Sequence, residues 1–226
     1  EKGVENDRNV IRESVRDFAE SLRPKSRGKL IQFRDYQIDA IWHAIQSNRC
    51  LLLSPTASGK SLIIYTLVRY YNLMKLKTLI LVPTTSLVEQ MYSDFIDYGW
   101  EDKHMHRVYA GMDKGSTKPV VISTWQSLYK LHRKYFEQYG CIIGDEAHLF
   151  KAKSLTDIMV RSGDCKFRFG LTGTLDGTQT HRLVLEGLFG EVKKIISTKE
   201  LIDRGTLAML EIDCVVLKHT EEECKR

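Results

Sequence analysis

Residues 54–61 read Ser-Pro-Thr-Ala-Ser-Gly-Lys-Ser, and their setting narrows the fold more than any other stretch of the chain. The apolar run Cys50-Leu51-Leu52-Leu53 precedes them, and Leu62-Ile63-Ile64-Tyr65-Thr66-Leu67-Val68 follows. The first run has the length of a buried strand, and the second has the length and pattern of a buried helix. Strand, tight loop, Gly-Lys-Ser and helix are the context of a phosphate-binding loop. Backbone N–H groups of such a loop converge on an anion, and the helix adds about half a positive charge at its N-terminus. In that context Thr56, Ala57, Ser58 and Gly59 form the cradle, with Gly59 letting the backbone approach the phosphates. Lys60 would reach the β- and γ-phosphates of such an anion, and the Ser61 hydroxyl would ligate Mg²⁺. The strict pattern has glycine where Ser54 stands. Ser54 is small, and Pro55 fixes one dihedral of the turn, so the loop can still form. The competing reading is a chance Gly-Lys-Ser in an ordinary strand–helix turn.

The remaining chain alternates in the same way. Val10, Ile11, Val15, Phe18, Ala19 and Leu22 recur at near-helical spacing, and the basic run 23–29 reads as a flexible linker. Ile38, Ala40, Ile41, Ala44 and Ile45 mark an amphipathic helix. Strands are predicted at 51–54, 77–83, 106–109, 120–123, 141–144, 167–171 and 212–217. Helices are predicted at 125–139, 155–160, 183–189 and 198–204, with a further helix after Thr84 or Thr85 carrying Leu87, Val88, Met91, Phe95 and Ile96. Strands alternating with helices predict an α/β fold, a parallel sheet sandwiched by helices. The strands show little polar alternation, as expected of a sheet buried on both faces. Ligands of such sheets gather at the carboxyl ends of the strands. Residues 56–61, 145–148 and 172–174 all follow predicted strands, so they are expected on one edge.

Composition adds limits more than direction. The 226 residues are 42% hydrophobic, enough for one large domain. A net charge of +5 is compatible with nucleic-acid binding without pointing to it. Five cysteines, an odd number without Cys-x-x-Cys spacing, fit reduced thiols in a cytoplasmic protein. His104-x-His106 reads more simply as a strand-face pair than as a metal site. No apolar run reaches the length of a membrane span, so no membrane partner is expected.

Asp145-Glu146-Ala147-His148 follows the predicted strand Cys141-Ile142-Ile143-Gly144. A carboxylate at a strand end beside a phosphate loop can hold the Mg²⁺ shell, the role given to Asp145. Glu146 is then placed to polarise the attacking water as general base. Gly144 stands where an apolar residue is usual, which is expected to loosen the packing there.

Together, Gly59-Lys60-Ser61 and Asp145-Glu146-Ala147-His148 resemble the DEAH-box helicases and translocases of superfamily two. The resemblance covers about residues 30–217 and extends to four further motifs in order. It implies a P-loop NTPase of the RecA-like type, here the first of two motor domains, with ATP and Mg²⁺ as cofactors. Gln37, in Phe33-Arg34-Asp35-Tyr36-Gln37, matches the glutamine that reads adenine. Pro83-Thr84-Thr85-Ser86-Leu87 with Gln90 matches the first nucleic-acid motif. Ser123-Thr124-Trp125-Gln126-Ser127-Leu128 matches a later one, and Trp125 reads as evenly for base stacking as for packing. Such contacts position a strand without reading its sequence. Leu171-Thr172-Gly173-Thr174 matches the motif that couples phosphate state to strand grip, with His148 hydrogen-bonding across to it. The implied organisation is a helical arm and basic linker at 1–29, the motor domain at 30–210, and at 211–226 the start of a connection to a second RecA-like domain. The stretch 199–208 looks closest to members that remodel branched or single-stranded DNA. An RNA helicase or a restriction-type translocase carries the same motifs. A nucleic-acid-binding switch without turnover is the reading from another class. The family's completing arginines lie beyond this stretch, so the chain alone is expected to hydrolyse ATP poorly.

Overall fold

The computed structural model describes residues 10–149, 152–175 and 179–208. The chain enters through α1 (Arg12–Ser21), a hairpin of β1 (Lys25–Ser26) and β2 (Lys29–Leu30), and α2 (Asp35–Ser47). Then follow β3 (Arg49–Leu53), α3 (Lys60–Leu73), β4 (Thr78–Val82), α4 (Thr85–Asp97), β5 (Met105–Val108) and β6 (Val120–Thr124). Two short helices, α5 (Trp125–Leu128) and α6 (Arg133–Phe136), lead to β7 (Cys141–Gly144) and α7 (Ala152–Arg161). The described part closes with β8 (Phe167–Thr172), α8 (Gln179–Phe189), β9 (Val192–Lys194) and α9 (Thr198–Asp203).

Seven strands form one sheet in the order β5-β6-β4-β7-β8-β3-β9, paired in parallel throughout. Successive strand residues point to opposite faces, and both faces are covered. Cys50, Leu52, Ile80, Val82, Ile143 and Phe169 pack with the apolar sides of α2, α3 and α4. Leu51, Leu79, Leu81 and Ile142 pack with Trp125, Leu128, Leu155, Ile158, Leu185 and Phe189 from α5, α7 and α8. The α/β sandwich expected from the alternation is therefore the one observed.

Gly144 lies within this packing. It is buried and lies level with Gly170 on β8, between Leu81 and Leu51 on the outer pair of strands. A Cβ at residue 170 would stand 2.6 Å from Leu51 Cδ1 and 2.9 Å from the Phe189 ring. Paired glycines in adjacent strands thus leave the room that Leu51 and the α8 phenylalanine fill.

Four further expectations change. The basic run is a two-residue hairpin, with Arg27 (φ 50°) and Gly28 (φ 77°) at its turn. Positive φ at both central residues matches the twist of a tight hairpin. The arm before it is docked: Val15 and Ala19 are buried, and Arg12 and Arg16 pair with Asp39 and Asp35 of α2 at 2.5 Å each. The helix expected over 125–139 is broken, because His132 is extended and its ring accepts from Lys134 N–H at 3.3 Å, restarting the helix. Strand β9 has no counterpart in the sequence pattern: it has three residues, two of them exposed lysines, and lacks an apolar run. The strand expected at 212–217 and the connection at 211–226 lie outside the described residues.

Among the described residues no helix is long and apolar enough to cross a membrane. Cys50, Cys141 and Cys165 are buried thiols, and burial pushes each of them up. Cys214 and Cys224 lie outside the described residues.

Candidate active site

The phosphate loop leaves β3 and turns back into α3, and its side chains hold it in shape. Ser54 is fully buried, and its hydroxyl donates to Ser58 Oγ at 2.6 Å; Ser58 Oγ donates in turn to the Pro55 carbonyl at 2.6 Å. The serine in place of glycine is therefore a brace. Ser54 N–H also donates to Thr172 O at 2.8 Å, which ties the loop to the end of β8. The loop turns through two left-handed residues, Ala57 (φ 66°) and Gly59 (φ 82°). Only at Gly59 does close packing add to the backbone demand: a Cβ there would lie 2.3 Å from Gln37 Nε2.

Gln37 is 4% exposed, and both ends of its amide are engaged. Nε2 donates to Ser58 O at 2.9 Å, and Oε1 accepts from Arg34 N–H at 3.0 Å. The Tyr36 hydroxyl donates to the same Ser58 carbonyl at 3.1 Å. Without nucleotide, Gln37 braces the loop from the start of α2.

The acidic box follows β7, two strands from β3, with β8 between them. Lys60 Nζ donates to Glu146 Oε1 at 2.7 Å, across 86 residues of sequence. Glu146 Oε2 lies 3.5 Å from His148 Nδ1, and that same nitrogen is 2.6 Å from Thr172 Oγ1. Thr172 Oγ1 also bonds to the Thr174 carbonyl at 2.7 Å, and Gly173 sits beside Lys60 and Thr56. The link expected between His148 and the 172–174 loop is present. Asp145 is 7% exposed; burial, then the neighbouring Glu146 charge, push its carboxyl up to about 6, against the pull of Lys60. A carboxylate held above its usual range in this way is one that a cation stabilises. Ser61 and Asp145 offer hard oxygen donors, the type Mg²⁺ takes, so the residues fit that ion. Among the described residues, no group of three or more His, Cys, Asp or Glu side chains could hold a metal.

The pocket over this loop, about 390 Å³, is walled on one side by α4 through Leu87, Gln90, Met91 and Asp94. Gln90, expected on nucleic acid, thus lies on the phosphate side. Asp94 belongs to none of the motifs, although 87, 90, 91 and 94 share one helical face by spacing. Burial raises the Asp94 carboxyl, while the Ser61 hydroxyl draws it down.

A second pocket, about 580 Å³, opens beside the first. Pro83, Thr84, Thr85 and Thr124 line it, joined by Tyr109, Gly111, Lys114, Gln126 and Ser127. Thr84 caps α4, accepting from Leu87 N–H at 3.3 Å, and Gln126 Nε2 donates to Pro83 O at 3.0 Å. The three expected members at 123–125 are buried, Thr124 among them at 5% exposed, with its hydroxyl 2.8 Å from Ser127 Oγ. Ser123 is fully buried and donates to Val108 O at 2.9 Å. Trp125 is 8% exposed and packs in the core against Tyr129, so no free face remains for a base. Strand ends alternate inward and outward, and the motif spelling does not record which residue faces which way.

The sequence profile of the family described as type III restriction enzyme, res subunit, matches residues 30–177, from the approach to α2 through the end of β8. The chain belongs to this family. The ATP-dependent DNA helicase uvsW of Enterobacteria phage T4 is 36% identical to it over 218 residues, covering 92% of this chain and 43% of that protein. The DNA 3'-5' translocase XPB2 of Sulfurisphaera tokodaii is 28% identical over 227 residues, covering 100% of this chain and 48% of that protein. This res-subunit family member therefore spans about half the length of these relatives. The crystal structure of the UvsW helicase from bacteriophage T4 superposes with a TM-score of 0.76 at 35% identity, over 82% of this chain and 68% of that one. The Pyrococcus furiosus Hef helicase domain shares the fold, at a TM-score of 0.60 and 21% identity over 72% of this chain and 38% of that one. The fold is that of a RecA-like motor domain.

Proposed function

We propose that this chain is the first motor half of an ATP-dependent DNA helicase that unwinds or migrates branched DNA. The observation that carries this reading is the meeting of Lys60 and Glu146 at 2.7 Å on the sheet edge, one strand from the His148–Thr172 link and next to an open groove. The phosphates of ATP draw Lys60 away from Glu146. The carboxylate so freed accepts a proton from the attacking water, whose oxygen bonds to the γ-phosphorus as the bond to the leaving ADP oxygen breaks. Ser61 and Asp145 would hold Mg²⁺, which would supply neutralisation of phosphate charge. Glu146 is shared between Lys60 and His148, so a change at Lys60 is felt at Thr172 and the 172–174 loop. The groove lined by Pro83, Thr84, Thr85 and Thr124 is offered to the DNA backbone. A second RecA-like domain supplies the completing arginine, a group worth about 10³–10⁵ in rate in related hydrolases.

The test is steady-state ATP hydrolysis by the longer protein that carries this chain, with forked DNA, with RNA and with neither, beside Lys60→Ala. Stimulation by forked DNA, lost in the variant, is the expected result. Stimulation by RNA alone would make the RNA helicase the better reading. DNA binding indifferent to ATP, with no turnover, would replace the motor by a binding module.

A further inference from the structure

The Ser61 hydroxyl takes its partner from outside the loop. The Tyr98 hydroxyl lies 2.8 Å away, at the C-terminal end of α4. Tyr98 is firmly held. Its ring meets Tyr65 edge-on at 5.2 Å, its carbonyl accepts from the Tyr65 hydroxyl at 3.4 Å, and its N–H donates to Asp94 O at 2.9 Å. Arg69 fixes Tyr65 in turn, donating to its hydroxyl at 2.6 Å. A polar atom is thus delivered to the loop by a stiff aromatic frame, and neither Tyr98 nor Asp94 belongs to any motif read from the sequence.

The chemistry of Ser61 gives that atom a purpose. A serine hydroxyl that ligates a cation gives up a lone pair and must place its proton on another acceptor. The position of that acceptor sets the direction of the remaining lone pairs. We propose that Tyr98 is a positioning residue: it accepts the Ser61 proton in a hydrogen bond and so turns the serine lone pairs toward the Mg²⁺ of a bound nucleotide. This rests on the reading of the loop as a site for Mg²⁺-nucleotide. It adds α4, the helix whose first residues line the neighbouring groove, to the elements that govern the metal.

The experiment is the affinity of the 226-residue chain for a fluorescent ADP analogue, measured with Mg²⁺ and again with EDTA, for the unaltered protein and for Tyr98→Phe. Phenylalanine keeps the ring against Tyr65 and removes only the hydroxyl. The ratio of the two dissociation constants isolates what the metal contributes. This ratio is expected to fall about five- to tenfold in Tyr98→Phe, the scale of one hydrogen bond, with the affinity in EDTA unchanged. An unchanged ratio would overturn the proposal, and so would an equal loss with and without Mg²⁺, which would make Tyr98 a packing residue. If the unaltered chain showed no Mg²⁺ dependence, the nucleotide reading itself would fall. A surviving dependence that ignores Tyr98 sinks only the positioning role.

Discussion

The phosphate loop and the groove beside it share one sheet edge but are built in opposite ways. Around the loop, polar side chains are held by one another: Ser54 by Ser58, Gln37 by Ser58, Ser61 by Tyr98, and Lys60 by Glu146. Around the groove, Thr84, Thr85, Gly111 and Lys114 stand exposed, and the loop 111–118 runs between the edge strand β5 and its neighbour β6. A triphosphate has one shape, and donors fixed in advance meet it without reorganisation. A strand of nucleic acid is flexible and read through its backbone, for which an open surface suffices. The stiffness of one region and the openness of the other follow from these two ligands as proposed.

The sharpest way to break this comparison is to disarm each region separately. Lys60→Ala is expected to lower ATP hydrolysis by about 10²–10³, the scale of losing one fixed electrostatic group, while leaving DNA affinity unchanged in a filter-binding titration. Thr84→Ala with Thr85→Ala is expected to do the reverse. If both changes lowered both readouts alike, the two regions would be one site.

Two glycines offer a matched pair. Gly59 and Gly111 have nearly the same backbone, at φ 82° and 86°, but a Cβ meets Gln37 at the first and nothing within 4 Å at the second. Alanine at either costs about 1–2 kcal/mol for the left-handed backbone. At residue 59 it also displaces Gln37 from Ser58, about 1 kcal/mol more. Urea unfolding of Gly59→Ala and Gly111→Ala checks this difference; equal losses would show that the loop is no stiffer than the groove.

A third measurement concerns the charge buried in the stiff region. Asp145 binds its proton more tightly in the folded chain than in the unfolded one. Its contribution to stability is complete below the ordinary carboxylate range and is lost as pH rises through about 6. Asp145→Asn keeps the oxygen that accepts from Glu146 N–H at 3.0 Å and removes the charge. Without nucleotide, the variant is expected to be more stable than the parent by about 3 kcal/mol at pH 8, since each tenfold gain in proton affinity on folding is worth roughly 1.4 kcal/mol. Near pH 4 the two are expected to be equal. Unfolding midpoints across that range test it, and a gap that does not vary with pH would remove the argument.

The smallest effect is expected at Ala57, which sits at φ 66° with its side chain exposed. Ala57→Gly relieves a backbone cost of about 1 kcal/mol but adds freedom to the unfolded chain, leaving a gain of a few tenths. A loss of stability on calorimetry would mean that the Ala57 methyl contributes packing to the loop.

Much of the sheet is legible because its strands are apolar runs and its helices carry an apolar stripe. The features that escape a reading of the sequence lack such a record. Strand β9 is polar and short. The hairpin at 25–30 depends on Arg27, a residue with no special turn propensity, adopting positive φ beside Gly28. The break at His132 depends on one side chain capping the next turn.

For the site, sequence alone determined the loop at 54–61, the box at 145–148 and their common edge, because each is a local pattern at the end of an apolar run. Tertiary structure decided what those residues touch. The order of strands places β8 between β3 and β7, and so sets Thr172 against both Ser54 and His148. The packing of α4 brings Tyr98 to Ser61, while the turn into α2 commits Gln37 to Ser58, and the inward course of β6 buries Ser123 and Trp125. Period and spacing report how a segment relates to its own backbone; partners drawn from about 20 to 120 residues away depend on how the elements pack, and no local pattern carries that information.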